Sequence, residues 1–253
     1  MINFMNSMVP DKKLISLSIC LMGLILSSPR ALAEESGFLV KPFIFVEGVD
    51  QEFYVDNVLT AHIVAAAGLA LEYNPTTEDI IEVSIGNGDF DVDGIKIDME
   101  VKRVSYLRDL SALMKWPIFI KVADMKRSIA AENSKVDKET RKSLKDELDS
   151  SFHTTDLLLG LNFSLTKHIQ IKAATGVSSW HMEANVNDQF MVGRFRATAF
   201  RVVNSKGTDA VHELGLEGGT GKWSLFLLLS QRSLGSKADE NIQGISLGGR
   251  FKF

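Results

Sequence analysis

The chain has 253 residues, of which 45% are hydrophobic and 24% charged, with a formal net charge of −4 at pH 7 and a single cysteine. The acidic balance and the lack of a dense basic tract argue against a nucleic-acid-binding protein. One cysteine excludes an intramolecular disulfide framework.

The first 33 residues have the three parts of a cleavable signal peptide. Lys12 and Lys13 precede an apolar-rich run from Leu14 to Leu26, and Ala31-Leu32-Ala33 has the small-residue pattern of a cleavage site. The run is shorter than the about 20 residues that a membrane-spanning helix needs. We therefore expect residues 1–33 to be removed after Ala33, with an uncleaved anchor as the alternative.

The expected mature chain, residues 34–253, forms one domain because no linker-like segment divides it. It loses Cys20 with the signal, and it keeps 25 basic and 31 acidic residues, which is a net charge of −6. Its longest nearly uncharged apolar stretch, Ala61 to Leu71, is too short for a transmembrane helix. If this chain crosses a membrane, it does so with β-strands.

An acidic motif comes first along the chain. Asp89, Asp91, Asp93, Gly94 and Glu100 match the calcium-loop pattern D-x-D-x-D-G-x5-E. The flanking segments have neither the entering nor the exiting helix of such a site. The pattern therefore leaves open whether Asp89–Asp93 binds calcium or is an acidic turn without an ion, and we predict no metal ligands.

Strict alternation of apolar and polar residues predicts β-strands in several segments. In Ile95 to Lys102 every second residue is apolar and the residues between them are charged. Asp156 to Leu165 and Ile169 to Val177 alternate around a Thr166-Lys167 turn and are typical of a hairpin. Further candidate strands are Phe38–Gly48, Thr60–Tyr73, Asp79–Ile85, Trp116–Asp124, Phe190–Val203, Thr208–Gly218 and Lys222–Arg232.

The segment 125–150 is rich in charge and shows no strand alternation, so we expect a long charged loop there. Two clusters of catalytic residue types lie near strand ends. They are Ser151, His153 and Asp156, and Ser179, His181 and Glu183. Neither cluster lies in a known signature motif, and His62, His168 and His212 stand alone, so we predict no catalytic residues and no cofactor.

The last segment, Ile245 to Phe253, places apolar or small residues on one face and Ser246, Gly248, Arg250 and Lys252 on the other. An amphipathic final strand that ends in Phe253 resembles the last strand of bacterial outer-membrane β-barrels, which the barrel-assembly machinery reads. Tyr73, Tyr106, Trp116, Trp180 and Trp223 lie near strand ends, where the aromatic girdles of such barrels are found.

Three segments carry a family resemblance. Pro117–Val122, Asp156–His168 and Gly248–Phe253 are similar to the outer membrane protein A-like β-barrel superfamily. The resemblance implies an all-β fold: a closed antiparallel up-and-down transmembrane barrel in the bacterial outer membrane. The chain departs from the small, eight-stranded members in length, because Phe190–Arg232 adds about three segments.

Eleven candidate strands conflict with the even number expected of a bacterial barrel. We therefore predict twelve strands, with ten or eight as alternatives. Apolar rows of such a barrel face lipid and polar rows face the lumen, so we expect Lys96, Asp98, Glu100 and Lys102 to line the lumen. The loop 125–150 is expected outside the cell, since extracellular loops are the long ones.

These features predict an integral outer-membrane protein with a structural, surface-interaction or narrow-pore role, and no enzyme activity. The expected partners are outer-membrane lipids, lipopolysaccharide and the barrel-assembly machinery. Two alternatives stay open: an outer-membrane lipid-modifying hydrolase and a soluble periplasmic lipid-binding β-protein.

Overall fold

The computed structural model describes residues 38–49, 63–76, 78–92, 95–136, 142–192, 195–220, 223–233 and 241–252. In these ranges ten antiparallel strands pair in chain order, and β1 pairs with β10 to close the barrel. The strands are β1 Phe38–Val49, β2 Ile63–Tyr73, β3 Asp79–Val92, β4 Ile95–Asp109, β5 Ile118–Val136, β6 Ser143–Thr166, β7 Ile169–Val192, β8 Phe195–Thr220, β9 Trp223–Ser233 and β10 Asn241–Lys252. A four-residue helix, α1 Ser111–Met114, lies between β4 and β5.

The structure confirms the all-β, closed, up-and-down antiparallel barrel. No helix among the described residues is long and apolar enough to span a membrane. We call the end of the barrel where β1 begins and β10 ends the terminal end, and the opposite end the distal end. The predicted signal peptide, residues 1–33, and Phe253 lie outside the described residues.

In the described ranges the barrel has ten strands, so the prediction of twelve is wrong and the alternative of ten is correct. The predicted strands Phe190–Val203 and Thr208–Gly218 do not form two separate strands there. Residues 190–192 end β7, and residues 195–203 and 208–218 belong to β8, which runs without a break from Phe195 to Thr220. The Ser205-Lys206-Gly207 sequence looks like a turn, but Gly207 lies in the strand under the Trp180 ring, where a Cβ would be 2.8 Å from Trp180 Cζ2.

The expected loop 125–150 is mostly strand. Residues 125–136 complete β5, and residues 143–150 begin β6. Burial alternates here although hydrophobicity does not, because polar Arg127, Asp146 and Ser150 share the inward face with apolar Met125 and Leu148. Hydrophobic alternation did not predict these strands, because their buried face carries charged residues.

An apolar belt surrounds the terminal half of the barrel. In this half, exposed apolar side chains face outward from all ten strands. It is the half that contains the turn between β6 and β7. They include Phe38 on β1, Leu69 and Leu71 on β2, Val83 and Ile85 on β3, Val104 on β4, Ile120 and Val122 on β5, Leu157, Leu159 and Leu161 on β6, Val177 on β7, Leu214 and Leu216 on β8, Leu225 and Leu229 on β9, and Ile245 and Leu247 on β10. A continuous apolar exterior of this kind is what a lipid bilayer covers.

The polarity of the wall reverses in the distal half. On β4 the buried residues are Ile97, Met99 and Val101. Lys96, Asp98 and Lys102 are exposed on the outer face, and the Lys102 ammonium pairs with the Glu100 carboxylate at 2.9 Å. The expectation that these four charged residues line the lumen is therefore wrong, because this part of β4 lies beyond the belt and faces water on its outer side.

Strand length is uneven around the barrel. β9 and β10 have 11 and 12 residues, close to the about 9–11 needed to cross a bilayer. β6 and β7 have 24 residues and β8 has 26. A 24-residue strand is about 80 Å long and rises about 55 Å at a tilt of about 45°, roughly twice the lipid-facing band of about 25 Å. One side of the barrel therefore projects far beyond the belt.

The acidic motif lies on the β3–β4 hairpin. Asp89 and Asp91 are on β3, where they pair with Asp98 and Lys96 of β4, and Glu100 is further along β4. Asp93 and Gly94 are outside the described residues. Among the residues that the structure describes, no group of three or more His, Cys, Asp or Glu side chains could hold a metal ion. The structure therefore does not test whether Asp89–Asp93 binds calcium.

Candidate functional site: the lumen and the outer rim

Ion pairs fill the lumen within the belt. The inward faces of eight strands bring five basic and four acidic side chains together, and we call this set the lumen network. Its members are Lys41, Glu72, Glu82, Arg103, Lys121, Lys172, Glu213, Glu217 and Arg250. Buried charges need such partners, because an unpaired charge costs several kcal/mol of desolvation free energy.

The lumen network has two chains of contacts. In the first, Arg250 donates to Glu72 at 2.5 Å and to Glu217 at 2.9 Å, and Lys41 pairs with both Glu72 and Glu82. In the second, Glu213 accepts from Arg103 at 2.8 Å and from Lys121 at 2.5 Å. Arg250, on the polar face of the last strand, therefore lies in the lumen. A cavity of about 180 Å³ remains among these residues and Phe226.

Two further ion pairs lie deeper along the axis. Arg232 pairs with Asp156, which also accepts a hydrogen bond from the Ser178 hydroxyl at 2.6 Å. Arg127 pairs with Glu47, and its guanidinium lies 5.0 Å from the centre of the Phe152 ring. All four charged side chains are buried.

A hydrophobic cluster lies across the lumen at the level of the Arg127–Glu47 pair, since Val101 and Phe152 are the register partners of Arg127. We call it the apolar plug, and its buried members are Ala66, Met99, Val101, Met125, Phe152, Trp180, Met182 and Ile242. Trp180 was expected in an interfacial girdle, but it is buried inside the barrel and its indole N–H donates to Asp209 at 2.6 Å. A second cluster of Ile97, Ala131, Leu148, Ala184 and Val186 continues the filling toward the distal end.

The other four predicted girdle residues do form one group. Tyr73, Tyr106, Trp116 and Trp223 are all exposed at the terminal end of the barrel. The Tyr73 ring also stacks on Phe38 with ring centres 4.7 Å apart. The lower edge of the belt is thus marked by aromatic rings, as in membrane-spanning barrels.

The two Ser/His clusters meet on the outer wall just beyond the belt. β6 and β7 pair so that His153 is opposite His181 and Ser151 is opposite Glu183. Asp156 does not join them, since it points inward. Instead Asp124 of β5 accepts from Thr155 at 3.0 Å and lies 2.8 Å from His153 Nε2. Sequence reasoning missed Asp124, because only strand pairing brings it beside His153. We call Asp124, Ser151, His153 and His181 the rim group.

The remaining histidines are less informative. His212 faces outward on β8, and its Nδ1 is 2.9 Å from the Thr175 hydroxyl. His168 is exposed in the β6–β7 turn, where its backbone N–H donates to Thr166. His62 lies outside the described residues.

Ion pairs also tie the projecting strands together. Lys145 of β6 contacts Glu132 of β5 at 2.9 Å and Glu147 at 2.6 Å, and the Asn187 amide of β7 donates to Glu147. The hydrogen bonds from Lys145 and then from Asn187 hold the pKa of Glu147 below its ordinary value. These contacts link three adjacent strands well beyond the belt.

The fold and the belt define the class of the protein: it has the architecture of a bacterial outer-membrane β-barrel. The translocator domain of the autotransporter NalP from Neisseria meningitidis is similar in fold, with a TM-score of 0.52, 10% identity, and coverage of 95% of this chain and 98% of that one. The outer-membrane protease OmpT from Escherichia coli has a TM-score of 0.46 at 10% identity, over 89% of this chain and 100% of that one. Ail of Yersinia pestis has a TM-score of 0.39 at 11% identity, over 86% and 99%. No protein-family model and no curated protein matches the sequence.

Proposed function

We propose that this protein is an integral outer-membrane barrel with a closed lumen, which acts as a structural scaffold and presents its projecting strands for surface interactions. The observation that carries the proposal is the contrast between its two halves. An apolar belt around the terminal half suits lipid. In the distal half β4 to β6 turn charged residues outward and apolar residues inward, although β7 and β8 expose Phe190, Val192, Phe195, Phe200 and Val202 there.

The closed lumen favours this role over a narrow pore. An ion that moves along the axis would meet the lumen network, two buried ion pairs and the apolar plug. A hydrophobic constriction excludes water and ions even where a narrow path exists. We therefore infer that the barrel does not conduct.

Fractionation and conductance test the proposal together. We expect the protein in the outer-membrane fraction, with a heat-modifiable shift in gel mobility that reports the folded barrel. Purified protein in planar bilayers should show no conductance steps. Recovery in the periplasmic extract would support the soluble lipid-binding alternative, and stepwise conductance would support the narrow-pore role.

Lipopolysaccharide is the expected lipid partner. Lys102 of β4 and Lys126 of β5 are opposite each other on the outer wall. Lys102 is the next outward residue beyond Val104 of the belt and also pairs with Glu100, whereas Asp124 lies between Val122 of the belt and Lys126. This places two ammonium groups at the level of the lipid headgroups, where phosphate binds cations. A Lys102→Ala/Lys126→Ala variant should fold normally but gain less thermal stability than the wild type when lipopolysaccharide is added.

The arrangement of the rim group favours one second candidate, a lipid-modifying hydrolase. Ser151 and His153 share the outer face of β6, and the carboxylate of Asp124 contacts His153. In this proposal the Ser151 hydroxyl attacks an acyl ester and passes its proton to His153, which protonates the leaving alcohol. Water then hydrolyses the acyl-serine and releases the acyl chain.

Mass spectrometry of lipids from cells that express the protein tests this candidate. Loss of an acyl chain with the wild type, abolished by Ser151→Ala and by His153→Ala, would support it. His212→Ala is the matched control, because His212 also faces outward but lies outside the rim group. An unchanged lipid profile with the wild type removes the hydrolase and leaves the scaffold.

The remaining proposals concern biogenesis. We propose that residues 1–33 direct export and are cleaved, and that the barrel-assembly machinery recognises the last strand through Phe253. The alternating faces of β10 support the second point, since Ile245 and Leu247 are exposed outward while Arg250 is in the lumen.

A further inference from the structure

The longest strand of the barrel, β8, extends past its neighbour β9 in the described residues. β8 pairs with β7 from Phe195 to Gly218, but β9 pairs only with residues from Val211 to Thr220. Within the part of the chain that the structure describes, residues 195–210 therefore have a neighbour on one side only. We call these sixteen residues the β8 edge.

The ladder with β7 determines which backbone groups are free. The Gly219 N–H donates to the His168 carbonyl on the β7 side, and the β7–β8 register has no shift. In an antiparallel pair the N–H and C=O of one residue point to the same side, and the side alternates along the strand. Odd-numbered residues of β8 therefore bond to β7. The even-numbered residues direct both groups to the edge, and they are Arg196, Thr198, Phe200, Val202, Asn204, Lys206, Thr208 and Ala210.

The β8 edge lacks part of the usual protection of an edge strand. Natural edges are short or carry charged residues, especially Lys, proline or bulges. The β8 edge is long, has no proline and keeps a regular register, and its basic residues are Arg196, Arg201 and Lys206. Phe195, Phe200 and Val202 are highly exposed, at 80%, 76% and 73%. This edge combines free hydrogen-bonding groups with apolar side chains, as edges that accept an added strand do.

The charge of the edge indicates what it would accept. The β8 edge carries three basic residues, Arg196, Arg201 and Lys206, and one acidic residue, Asp209, which accepts a hydrogen bond from the Trp180 indole. Arg196 also donates to the Ser143 carbonyl. A second copy of the same edge would bring like charges together, which is destabilising across strands. A lipid surface would leave the row of peptide groups without partners. An extended polypeptide with acidic and apolar residues satisfies both the backbone groups and the charge.

We propose that the β8 edge binds such an acidic, apolar polypeptide segment by strand addition. The proposal deepens the surface-interaction role and rests on it for the location of the edge outside the cell. The added strand would hydrogen-bond to the even-numbered residues, while its carboxylates lie near Lys206 and its apolar side chains cover Phe200 and Val202.

A peptide-binding assay with purified protein in detergent micelles tests strand addition. The probe is a fluorescent, end-capped octapeptide, Glu-Thr-Glu-Thr-Val-Thr-Val-Thr, and the readout is fluorescence anisotropy. Its Glu and Val side chains lie on one face, as do Lys206, Phe200 and Val202 of β8. Asn204→Pro removes a free N–H of the edge without removing a bond to β7, a position where proline is tolerated. We expect this variant to bind the peptide about tenfold more weakly. The matched control, Asn204→Ala, keeps the N–H and should bind within about twofold of the wild type.

A second probe keeps the test independent of whether the proline variant folds. The same octapeptide methylated at its Glu and Val nitrogens cannot donate to the edge in the antiparallel register that places these side chains over Lys206, Phe200 and Val202. It should therefore bind the wild type much more weakly. An octapeptide with Lys in place of Glu should bind much more weakly than the Glu peptide.

Several outcomes would overturn the proposal. The first two are binding of the methylated peptide, or of the Lys peptide, that is as tight as binding of the unmethylated Glu peptide. The third is capture of phosphatidylglycerol vesicles that Asn204→Pro leaves unchanged. The fourth is self-association of the protein through this edge instead of peptide binding. Because the assay uses micelles, a negative result with protein that fractionates to the outer membrane refutes only strand addition. A periplasmic location would refute the proposed function instead.

Discussion

Asp156 illustrates how a single position decides the role of a side chain in this barrel. It follows Ser151 and His153 closely in sequence, which suggested a shared catalytic cluster. Because β6 alternates its faces, Asp156 points into the lumen, where it pairs with Arg232 and accepts from Ser178. Both charged side chains are at most 5% exposed, so each depends on the other for solvation.

We expect Asp156→Asn to destabilise the barrel by about 3–5 kcal/mol, because it leaves the Arg232 guanidinium buried without a counter-charge. Unfolding in urea, followed by the heat-modifiable gel shift, measures the change. Removing both charges with Asp156→Leu/Arg232→Leu should recover most of the loss.

Asp149→Asn is the matched control for this substitution. Asp149 lies on the same strand but faces outward and is exposed, so its replacement should change stability by less than about 0.5 kcal/mol. A loss at Asp149 equal to that at Asp156 would contradict the role assigned to the buried pair.

At the scale of the element, two strands with the same alternation use opposite faces. In Ile95–Lys102 the apolar row is buried, whereas in Asp156–Leu165 the apolar row of Leu157, Leu159 and Leu161 is exposed. The first segment lies beyond the belt and the second lies within it. Alternation predicts a strand, but the apolar row turns inward in water and outward in lipid.

We expect Leu159→Arg to reduce the free energy of unfolding by about 2–4 kcal/mol when the barrel is refolded in lipid vesicles, because it places a charge in the middle of the belt. Asp149→Arg, on the same face of β6 but beyond the belt, should cost less than about 1 kcal/mol. Reversible unfolding monitored by tryptophan fluorescence gives both values, and similar costs at the two positions would argue against a lipid-covered belt.

For the whole molecule, the main consequence of the fold is polarity along the axis. The start of β1, the end of β10, the aromatic girdle and the short β6–β7 turn lie at one end, and the long strands β5–β8 project at the other. Outer-membrane barrels keep their short turns in the periplasm. The projecting end is therefore expected outside the cell.

Cysteine labelling of intact cells tests this orientation, since the expected mature chain has no cysteine. A membrane-impermeant maleimide should label Thr198→Cys, near the tip of β8, in intact cells. Lys167→Cys, in the β6–β7 turn, should react only after the outer membrane is permeabilised. The reverse pattern would place the projecting strands in the periplasm.

The sequence was sufficient to predict the class of fold, because the alternation and the polar second face of the β6–β7 hairpin are visible without knowing which residues lie beside them in the barrel. It failed at the strand number and at the loop 125–150 for one reason. Gly207 is explained only by the Trp180 ring from β7, and the inward Arg127 only by its partner Glu47 from β1. Features that appear to break a strand are compensated by distant residues.

The rim group also separates what the sequence shows from what only strand pairing decides. Its histidines and serines are visible in the sequence, but the pairing of β5, β6 and β7 selects Asp124 over Asp156 as the carboxylate beside His153. The sequence by itself determined that the chain forms amphipathic antiparallel strands, because alternation is a local property of the backbone. Only the tertiary structure decided how many strands there are, which face is inside and whether the lumen is closed, because these depend on side chains from different strands and on the solvent that each face meets.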